Sequence, residues 1–429
     1  MKAAKITGAA VAVAALVALA GCSSSGSNTP TSGALSGTVT FWHAYSADSP
    51  EVQTLEKTII PAFEKLHPKV TVKDVAIPYD DLHQKLITAV AGDQLPDLVR
   101  SDIIWVPELA NLGVLQPLDT TLSDFKSLAA ETYPGSLATN QWKGHYYGLP
   151  LDTNTRVLMY NQEVLDKAGI TTPPATMDDL LADGPKLKAV GAYAYADSGA
   201  SGWNVLPFIW SGGGDITNAT VTKASGYMNS AKTEKVVQTL VDMYKAGYLP
   251  SLILGDTGGL STSDGLAQGS YATILDGPWM YPIFASQYPN FKLQDAPVPA
   301  GAKGSVSVVG GEDVVMTKSS KNKPAAEAFM RYLLSSDAQL AMAKVGQMPV
   351  LKGLGSKLTD INSYYSQFAT QLETAKPRPA TPAWTQIDTI LQDDIRAAIK
   401  GDKTVKAAMD DAATQSDAAE KAAMKPPKK

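Results

Sequence analysis

Four carboxylates lie near the ends of predicted strands and could act in a site: Asp102, Asp152, Asp276 and Glu312. Two carboxylates held about 5–10 Å apart across a glycosidic bond are the machinery of a glycoside hydrolase. The sequence does not set that distance, so a secreted glycosidase stays open as an alternative. A helix cap or a solvated turn explains each carboxylate equally well. The nucleophile elbow GxSxG is absent from the sequence, which excludes the commonest esterase arrangement.

Tryptophans near predicted turns point to a different kind of site. The chain has seven, and Trp105, Trp279 and Trp384 all follow strand ends or Pro-containing turns. An indole at a loop mouth offers a flat apolar face, which suits the C–H face of a sugar ring while amides and carboxylates bind its hydroxyls. Together with polar neighbours such as Asp102 and Asn154, the tryptophans favour a carbohydrate cleft.

Other chemistries find little support in the composition. The four histidines are scattered and none has HExxH spacing, so the sequence predicts no zinc or other metal site, and each histidine is expected to be solvated or at the edge of a core. No phosphate loop or dinucleotide-binding glycine pattern is present, so no cofactor is predicted. The net charge of -5 and the lack of a basic stripe argue against nucleic acid as a partner.

The N-terminus has the pattern of an export signal. Lys2 and Lys5 precede an apolar run over residues 9–20, which is too short to span a bilayer, so residues 1–21 are predicted to be a cleaved signal peptide. The motif Leu-Ala-Gly-Cys that ends at Cys22 resembles the lipobox of bacterial lipoproteins. That resemblance implies a lipid on Cys22, which would anchor the protein to the outer face of the cell membrane. Residues 22–36 are rich in Ser, Gly and Thr and predict a flexible tether.

The rest of the chain alternates predicted strands and helices. Its 429 residues are enough for two or three domain-sized units. Strands over 38–42, 70–72 and 97–99, separated by amphipathic helices, predict an α/β fold with a parallel sheet. Ligands of such sheets bind at the carboxyl ends of the strands. Those ends carry Tyr45, Ser46, Tyr79, Ser101 and Asp102.

One segment carries a family signature. Pro150-Leu151-Asp152, followed by Val157-Leu158-Met159-Tyr160-Asn161 and Leu165-Asp166-Lys167, resembles family 1 of the bacterial extracellular solute-binding proteins. These proteins capture sugars for ABC importers. Weaker blocks occur in the family's order along nearly all of the mature chain: 41–43, 92–119, 269–279, 310–319 and 347–349.

The resemblance implies a type II periplasmic-binding-protein fold. Each of two lobes would be a mostly parallel sheet flanked by helices, with a hinged cleft between them. One lobe would comprise 37–148 plus 306–349, the other 149–305 plus 350–420, and 421–429 would be a solvated tail. The protein would be a monomer that binds its ligand without catalysis and passes it to an ABC permease in the membrane.

The family pattern also implies a set of binding residues. The first lobe and the hinge would contribute Tyr45, Ser46, Ser101, Asp102, Trp105, Asp152, Asn154, Gly311 and Glu312, and aromatic platforms would be Trp203, Trp279 and Trp384. The expected ligand is a neutral di- to trisaccharide of gluco- or galacto-type. Ser101 stands where maltose-binding members have a platform, which argues against maltose itself. It stays open whether Asp152 contacts sugar or braces the hinge.

A polyol phosphate such as glycerol-3-phosphate is the remaining alternative within the binding class. Arg378 could pair a phosphate, although a surface loop position is the simpler expectation for it.

Overall fold

The structure is a computed structural model that describes residues 35–47 and 49–424. Leu35–Lys429 forms one compact unit. The predicted signal peptide, Cys22 and nearly all of the predicted tether lie outside the described residues, as does the end of the predicted tail.

Strands in the described part of the chain form two main sheets and a small hairpin. They are β1 (Gly37–His43), β2 (Val70–Ala76), β3 (Leu98–Asp102), β4 (Gln141–Trp142), β5 (His145–Tyr146), β6 (Gly148–Thr155), β7 (Val157–Tyr160), β8 (Tyr193–Ala196), β9 (Tyr271–Asp276), β10 (Gln294–Ala296), β11 (Val308–Met316) and β12 (Lys376–Pro377). The first sheet has the order β12-β11-β3-β1-β2, with β6 also paired to β11. The second sheet has the order β10-β7-β9-β8, and β4 pairs with β5.

Helices cover both sheets. They are α1 (Pro50–Thr54), α2 (Ile60–Leu66), α3 (Tyr79–Gly92), α4 (Val106–Asn111), α5 (Leu118–Thr121), α6 (Phe125–Glu131), α7 (Pro134–Ala138), α8 (Gln162–Lys167), α9 (Met177–Ala189), α10 (Gly202–Ser211), α11 (Ala231–Ala246), α12 (Thr262–Gln268), α13 (Met280–Gln287), α14 (Lys323–Leu333), α15 (Ser336–Ala343), α16 (Leu358–Ile361), α17 (Tyr365–Leu372), α18 (Trp384–Lys400) and α19 (Val405–Ala423). Short 3₁₀ turns lie at Ser251–Leu254 and Lys352–Lys357.

The first helical stretch follows the sequence signals closely. The Ser49 side chain accepts a hydrogen bond from the Val52 amide, and Pro50 opens the helix. Between α1 and α2 the helix widens into a π turn at Leu55–Ile59, where the Ile60 amide donates to the Leu55 carbonyl. Pro61 follows this turn and has no amide hydrogen to continue the α-helical pattern, which accounts for the local widening.

Each sheet has its own hydrophobic core. In the first lobe, Phe41 of β1 packs edge-on against Phe329 of α14 with ring centroids 5.7 Å apart. In the second lobe, α10, α11, α18 and α19 bury their apolar faces against the sheet, with Trp384 fully buried among them. The two-lobed α/β fold class predicted from the sequence is confirmed.

The second sheet is less parallel than the sequence predicted. β8 and β9 run parallel, whereas β7 is antiparallel to both of its neighbours, β9 and β10. β7 enters the second lobe directly from β6 of the first sheet, with a single residue between them.

The chain crosses from the first sheet to the second between β6 and β7 and returns between β10 and β11. Of the segment 350–420 predicted for the second lobe, α18 and α19 pack in the second-lobe core, but β12 pairs with β11 of the first sheet. The sequence predicted the first crossing at residues 148–149, but β6 pairs with β11 along most of its length, so the crossing lies at Arg156. All eight residues of β6 are buried. A strand that is buried on both faces has no alternating pattern, and its sheet therefore could not be assigned from the sequence.

Candidate functional site

A buried arginine lies at the carboxyl end of the first sheet. Arg100 of β3 is 5% exposed, and its Nη2 lies 2.7 Å from Glu312 Oε2 of β11 and 3.1 Å from Asp152 Oδ2 of β6. The guanidinium carbon lies 4.1 Å from the centre of the Tyr45 ring. Burial raises the pKa of Glu312 well above its ordinary value, and the neighbouring Asp152 raises it further against the opposing effect of Arg100. Two carboxylates thus share one positive charge.

A second buried arginine, Arg378, also pairs with a carboxylate of the first sheet. Arg378 Nη2 donates to Asp102 Oδ1 over 3.1 Å, and the Tyr79 hydroxyl donates to Asp102 Oδ2 over 2.6 Å. Arg378 is 8% exposed. The expectation of a surface loop position for Arg378 was therefore wrong: the residue follows β12, which pairs with β11, and this pairing brings it into the interior.

Two tryptophans of the second lobe face one another. Trp203 lies in the first turn of α10 and Trp279 directly precedes α13, and their half-buried rings stack with centroids 6.4 Å apart and planes 27° apart. The guanidinium carbon of Arg378 lies 5.3 Å from the Trp203 ring. The Trp203–Trp279 stack is called the aromatic pair below.

Trp279 is also tied to a carboxylate with a shifted pKa. Asp276, the last residue of β9, interacts with the side chain of Trp279. Burial raises the pKa of Asp276 to about 6, and Arg156 and the donors Gly277 and Trp279 oppose that rise.

Unpartnered oxygens lie on the strands next to the aromatic pair. Asp152 and Asn154 are two residues apart on β6 and therefore point to the same side, and they pair with Glu312 and Gly310 of β11. Asp152 Oδ1 and Asn154 Oδ1 are buried and have no hydrogen-bond partner among residues 35–47 and 49–424. A Cβ on Gly310 would lie 2.2 Å from Asn154 Oδ1 and 2.7 Å from Trp203 Cη2, so the glycine lets the ring approach the strand. Asp152, Asn154 and Glu312 are called the acceptor patch below.

The structure brings most of the predicted site residues together. Tyr45, Asp102, Asp152, Asn154, Gly311 and Glu312 gather at the end of the first sheet, and Arg378 connects them to Trp203 and Trp279. Gly311 has φ 130°, and a Cβ there would lie 2.4 Å from the Asp152 carbonyl oxygen. Buried acceptors without partners in the protein are suited to receive hydrogen bonds from a ligand.

Four predicted residues lie elsewhere. Trp384 is 0% exposed in the second-lobe core, and Trp105 is 3% exposed in a first-lobe core against Tyr79. Ser101 is fully buried on the opposite side of β3 from Asp102, with its hydroxyl donating to the Asp102 carbonyl. Ser46 is exposed, and no side-chain contact connects it with the acceptor patch. Helical and strand patterns do not distinguish a buried indole from one at a cleft.

Several polar residues at the site were not predicted. Arg100, Glu51 and Gln347 form one chain of contacts, in which Gln347 donates to Glu51 Oε1 over 3.0 Å and lies 3.4 Å from Arg100. Arg156 completes the set. Tyr79, which the sequence placed at a strand end, also lies at the site. Arg100 did leave a signal, because an arginine in the otherwise apolar run Leu98-Val99-Arg100 needs a buried partner.

The histidines and carboxylates form no evident metal site. No group of three or more His, Cys, Asp or Glu side chains among residues 35–47 and 49–424 could hold an ion. His43 corrects the expectation of solvated or edge-of-core histidines, because it is 0% exposed between the Phe41 and Tyr45 rings. Burial lowers the pKa of His43 to about 4. Within the same described ranges, no helix has the length and apolar character to cross a bilayer.

Two α/β lobes joined by repeated chain crossings, with a polar and aromatic site at their junction, define a two-lobed solute-binding protein. The chain belongs to the bacterial extracellular solute-binding proteins, whose family model matches residues 46–340. The family resemblance predicted from the sequence is confirmed.

Relatives match over most of their length. A protein of Brucella abortus (strain 2308) that carries the name of a binding protein is 28% identical over 369 residues, covering 83% of this chain and 87% of the relative. The galactooligosaccharide-binding protein of Bacillus subtilis (strain 168) is 24% identical, covering 83% and 84%. An uncharacterised lipoprotein of Streptomyces antibioticus is 26% identical, covering 74% and 70%.

Solved structures share the fold. The GacH receptor of Streptomyces glaucescens GLA.O, determined unliganded and with acarbose, superposes with a TM-score of 0.81 at 24% identity, covering 90% of this chain and 99% of that one. An ABC transporter solute-binding protein of Thermotoga lettingae TMO, bound to α-D-tagatose, gives 0.79 at 27% identity, covering 90% and 100%.

Proposed function

We propose that this protein is the substrate-binding component of an ABC importer and captures a neutral di- to trisaccharide. The observation that carries the proposal is the position of the aromatic pair beside the acceptor patch. Stacked indoles match the apolar face of a sugar ring. The unpartnered oxygens of Asp152 and Asn154 match the donor hydroxyls at its edge. Sugar-binding names among the relatives support the same ligand class.

The charges at the site favour a ligand without an acidic group. Arg100 is paired with Asp152 and Glu312, and Arg378 with Asp102, so among the described residues the two cleft arginines are already neutralised. A phosphate or carboxylate would therefore find neither arginine free to pair with it, and it would lie close to the carboxylates of Asp102 and Asp152. This disfavours the polyol phosphate alternative, although Arg378 does lie at the site.

The positions of Asp152 and Glu312 favour a role in binding over one in hydrolysis. Asp152 and Glu312 are cross-strand neighbours on one sheet and contact the same nitrogen of Arg100. A glycosidase needs its two carboxylates on opposite sides of the scissile bond. We therefore assign these residues to ligand contact, and in this assignment Asp152 both accepts from the ligand and braces the hinge strand.

Capture would proceed by closure of the lobes. The first lobe supplies the acceptor patch and the second lobe the aromatic pair, so a sugar that contacts both is bound more tightly in the closed form than in the open form. A ligand shifts such an equilibrium only by this difference in affinity. The closed, loaded protein would then dock on the permease as a monomer.

We also propose that a lipid on Cys22 holds the protein at the outer face of the cell membrane. The Leu-Ala-Gly-Cys motif and the lipoprotein name of the Streptomyces antibioticus relative support this anchor. Mass spectrometry of the N-terminal peptide from cells should detect a diacylglyceryl adduct on Cys22, and Cys22→Ser should release the protein into the medium. An unmodified Cys22 peptide would contradict the anchor.

Titration calorimetry and tryptophan fluorescence against a panel of neutral mono- and oligosaccharides test the ligand class. We expect heat and a fluorescence change with at least one di- or trisaccharide, and recovery of the sugar intact. No response to any member of the panel would overturn the sugar assignment. Released reducing ends would favour the glycosidase instead, and competition by glycerol phosphate with a steep salt dependence would favour the polyol phosphate.

A further inference from the structure

One buried arginine connects the first chain crossing to the aromatic pair. Arg156 is the single residue between β6 and β7, and it is 2% exposed. Residues that absorb the backbone rotation of a hinge motion lie at such element ends. Burial of a charge is costly unless it is paired, so the contacts of Arg156 indicate what its charge is used for.

The guanidinium of Arg156 holds the start of α10 against the second sheet. Its Nη1 donates to the Trp203 carbonyl and to Asn204 Oδ1, each over 3.1 Å. The two terminal nitrogens pair with the two oxygens of Asp197, each over 3.0 Å, and Nη2 also donates to the Leu275 carbonyl. Asp197 follows β8, and Leu275 is in β9. One planar group thus joins α10 to the carboxyl ends of two strands.

The backbone of Arg156 is tied to the second chain crossing. The Ser307 hydroxyl donates to the Arg156 carbonyl over 2.7 Å, and the Thr155 hydroxyl donates to the Val308 carbonyl over 2.8 Å. Ser307 directly precedes β11, and these two bonds couple the entry into the second lobe to the return from it. A change of backbone angles at either crossing would therefore displace Arg156.

We propose that Arg156 is a positioning residue that makes the orientation of Trp203, and through stacking that of Trp279, follow the hinge. The proposal rests on the proposed function, because it assigns the aromatic pair to ligand binding. The guanidinium carbon also lies 5.6 Å from the Trp203 ring, so the same group contacts both the backbone and the indole of this residue. Lysine cannot replace it, since one ammonium nitrogen cannot reach five separate acceptor atoms.

Fluorine NMR of protein labelled with 5-fluorotryptophan tests the positioning without any ligand. The seven tryptophans should give seven signals, of which Trp203→Phe and Trp279→Phe identify two. In Arg156→Lys the Trp203 and Trp279 signals should shift or broaden, while those of Trp42 and Trp142 in the first lobe should stay in place. Val237→Ala, which truncates a fully buried side chain of α11, serves as a control for general loosening of the second lobe. Unchanged Trp203 and Trp279 signals in Arg156→Lys would overturn the proposal.

Ligand affinity provides the second readout. Arg156→Lys should weaken binding of the best sugar by about tenfold or more, whereas Val237→Ala should lower the melting temperature with affinity within about twofold. Equal affinity in wild type and Arg156→Lys would show that Arg156 has only a structural role. That result would not contradict the proposed function. A wild-type protein that binds no sugar would contradict the proposed function, while the fluorine signals would still decide the role of Arg156.

A milder variant covers the case in which Arg156→Lys does not fold. Ser307→Ala removes only the bond to the Arg156 carbonyl. It should shift the Trp203 signal and weaken binding by about threefold, in keeping with the loss of one neutral hydrogen bond. If Ser307→Ala changed neither the signal nor the affinity, the coupling between the crossings and Trp203 would be refuted.

Discussion

At the scale of single residues, tryptophans with similar sequence settings have different roles. Trp279 is half-buried beside a strand end, whereas Trp384 is 0% exposed in the second-lobe core, and both follow a Pro-containing turn. Truncation of the first removes a surface that a ligand would use. Truncation of the second leaves a cavity in a packed interior.

We therefore expect alanine at Trp279 to weaken ligand binding and alanine at Trp384 to weaken the fold. Trp279→Ala should weaken sugar binding by about 2 kcal/mol, or roughly thirtyfold, with little loss of stability. Trp384→Ala should lower the free energy of unfolding by about 3–5 kcal/mol. Trp203→Ala should behave like Trp279→Ala. Calorimetric binding and urea unfolding measure both quantities, and normal affinity in both Trp203→Ala and Trp279→Ala would show that the aromatic pair does not hold the ligand.

Asp276 predicts a pH-dependent term in stability. Burial raises its pKa to about 6 from 3.8, so the folded protein takes up a proton before the unfolded chain does as the pH falls. Above pH 6 the ionised carboxylate of Asp276 therefore lowers the free energy of unfolding. Protonation between about pH 6 and 4 removes this loss. From pH 7 to pH 4, the unfolding free energy of wild type should rise by about 2 kcal/mol relative to that of Asp276→Asn. Parallel pH profiles for the two proteins would contradict this assignment.

At the scale of elements, the close approach of β6 and β11 depends on two adjacent glycines. A Cβ on Gly311 would lie 2.4 Å from the Asp152 carbonyl oxygen at a φ of 130°, which side chains rarely adopt. A Cβ on Gly310 would meet the Asn154 and Trp203 side chains instead. Gly311 thus permits the pairing of β6 with β11, and Gly310 permits the Trp203 ring to approach β11.

Alanine at these two positions should consequently have separable effects. Gly311→Ala should destabilise the fold by about 1–3 kcal/mol because it strains the backbone of β11. Gly310→Ala should mainly weaken sugar binding, because the side chains it displaces face the ligand. Gly353→Ala is the matched control, since a Cβ there meets nothing within 4 Å. A loss of stability in Gly310→Ala as large as that in Gly311→Ala would show that both glycines serve the strand pairing alone.

Local residue patterns were enough to predict individual helices and strands. They were not enough to predict which distant strands pair or which buried charges meet. Local patterns predicted strands over 38–42, 70–72 and 97–99, and β1, β2 and β3 lie there with ends shifted by a few residues. The sheet that β6 joins depends on β11, more than a hundred residues later, and no local pattern records that partner. For the same reason Arg100 and Arg378 could not be assigned: the first is buried by Asp152 and Glu312, and the second by Asp102.

At the scale of the whole molecule, closure should make the protein both more stable and more compact. A ligand at about 100 times its Kd adds about 2.7 kcal/mol to the free energy of unfolding. We expect the best sugar to raise the melting temperature accordingly and to reduce the radius of gyration measured by X-ray scattering. The double variant Trp203→Ala, Trp279→Ala should show neither change. Stabilisation without compaction would contradict the hinge mechanism.

Strand β11 also constrains the order in which the two sheets can form. β11 lies between β3 and β6 in the first sheet, yet Val308 comes 206 residues after Asp102, the last residue of β3. All four strands of the second sheet precede β11 in the chain, so that sheet is fully synthesised before the first one can be completed. Pairings of such wide sequence separation form slowly, and the unpaired edges of β3 and β6 stay open to wrong partners meanwhile. The pairing of β11 with β3 and β6 is thus also a step at which folding of the protein is exposed to mispairing.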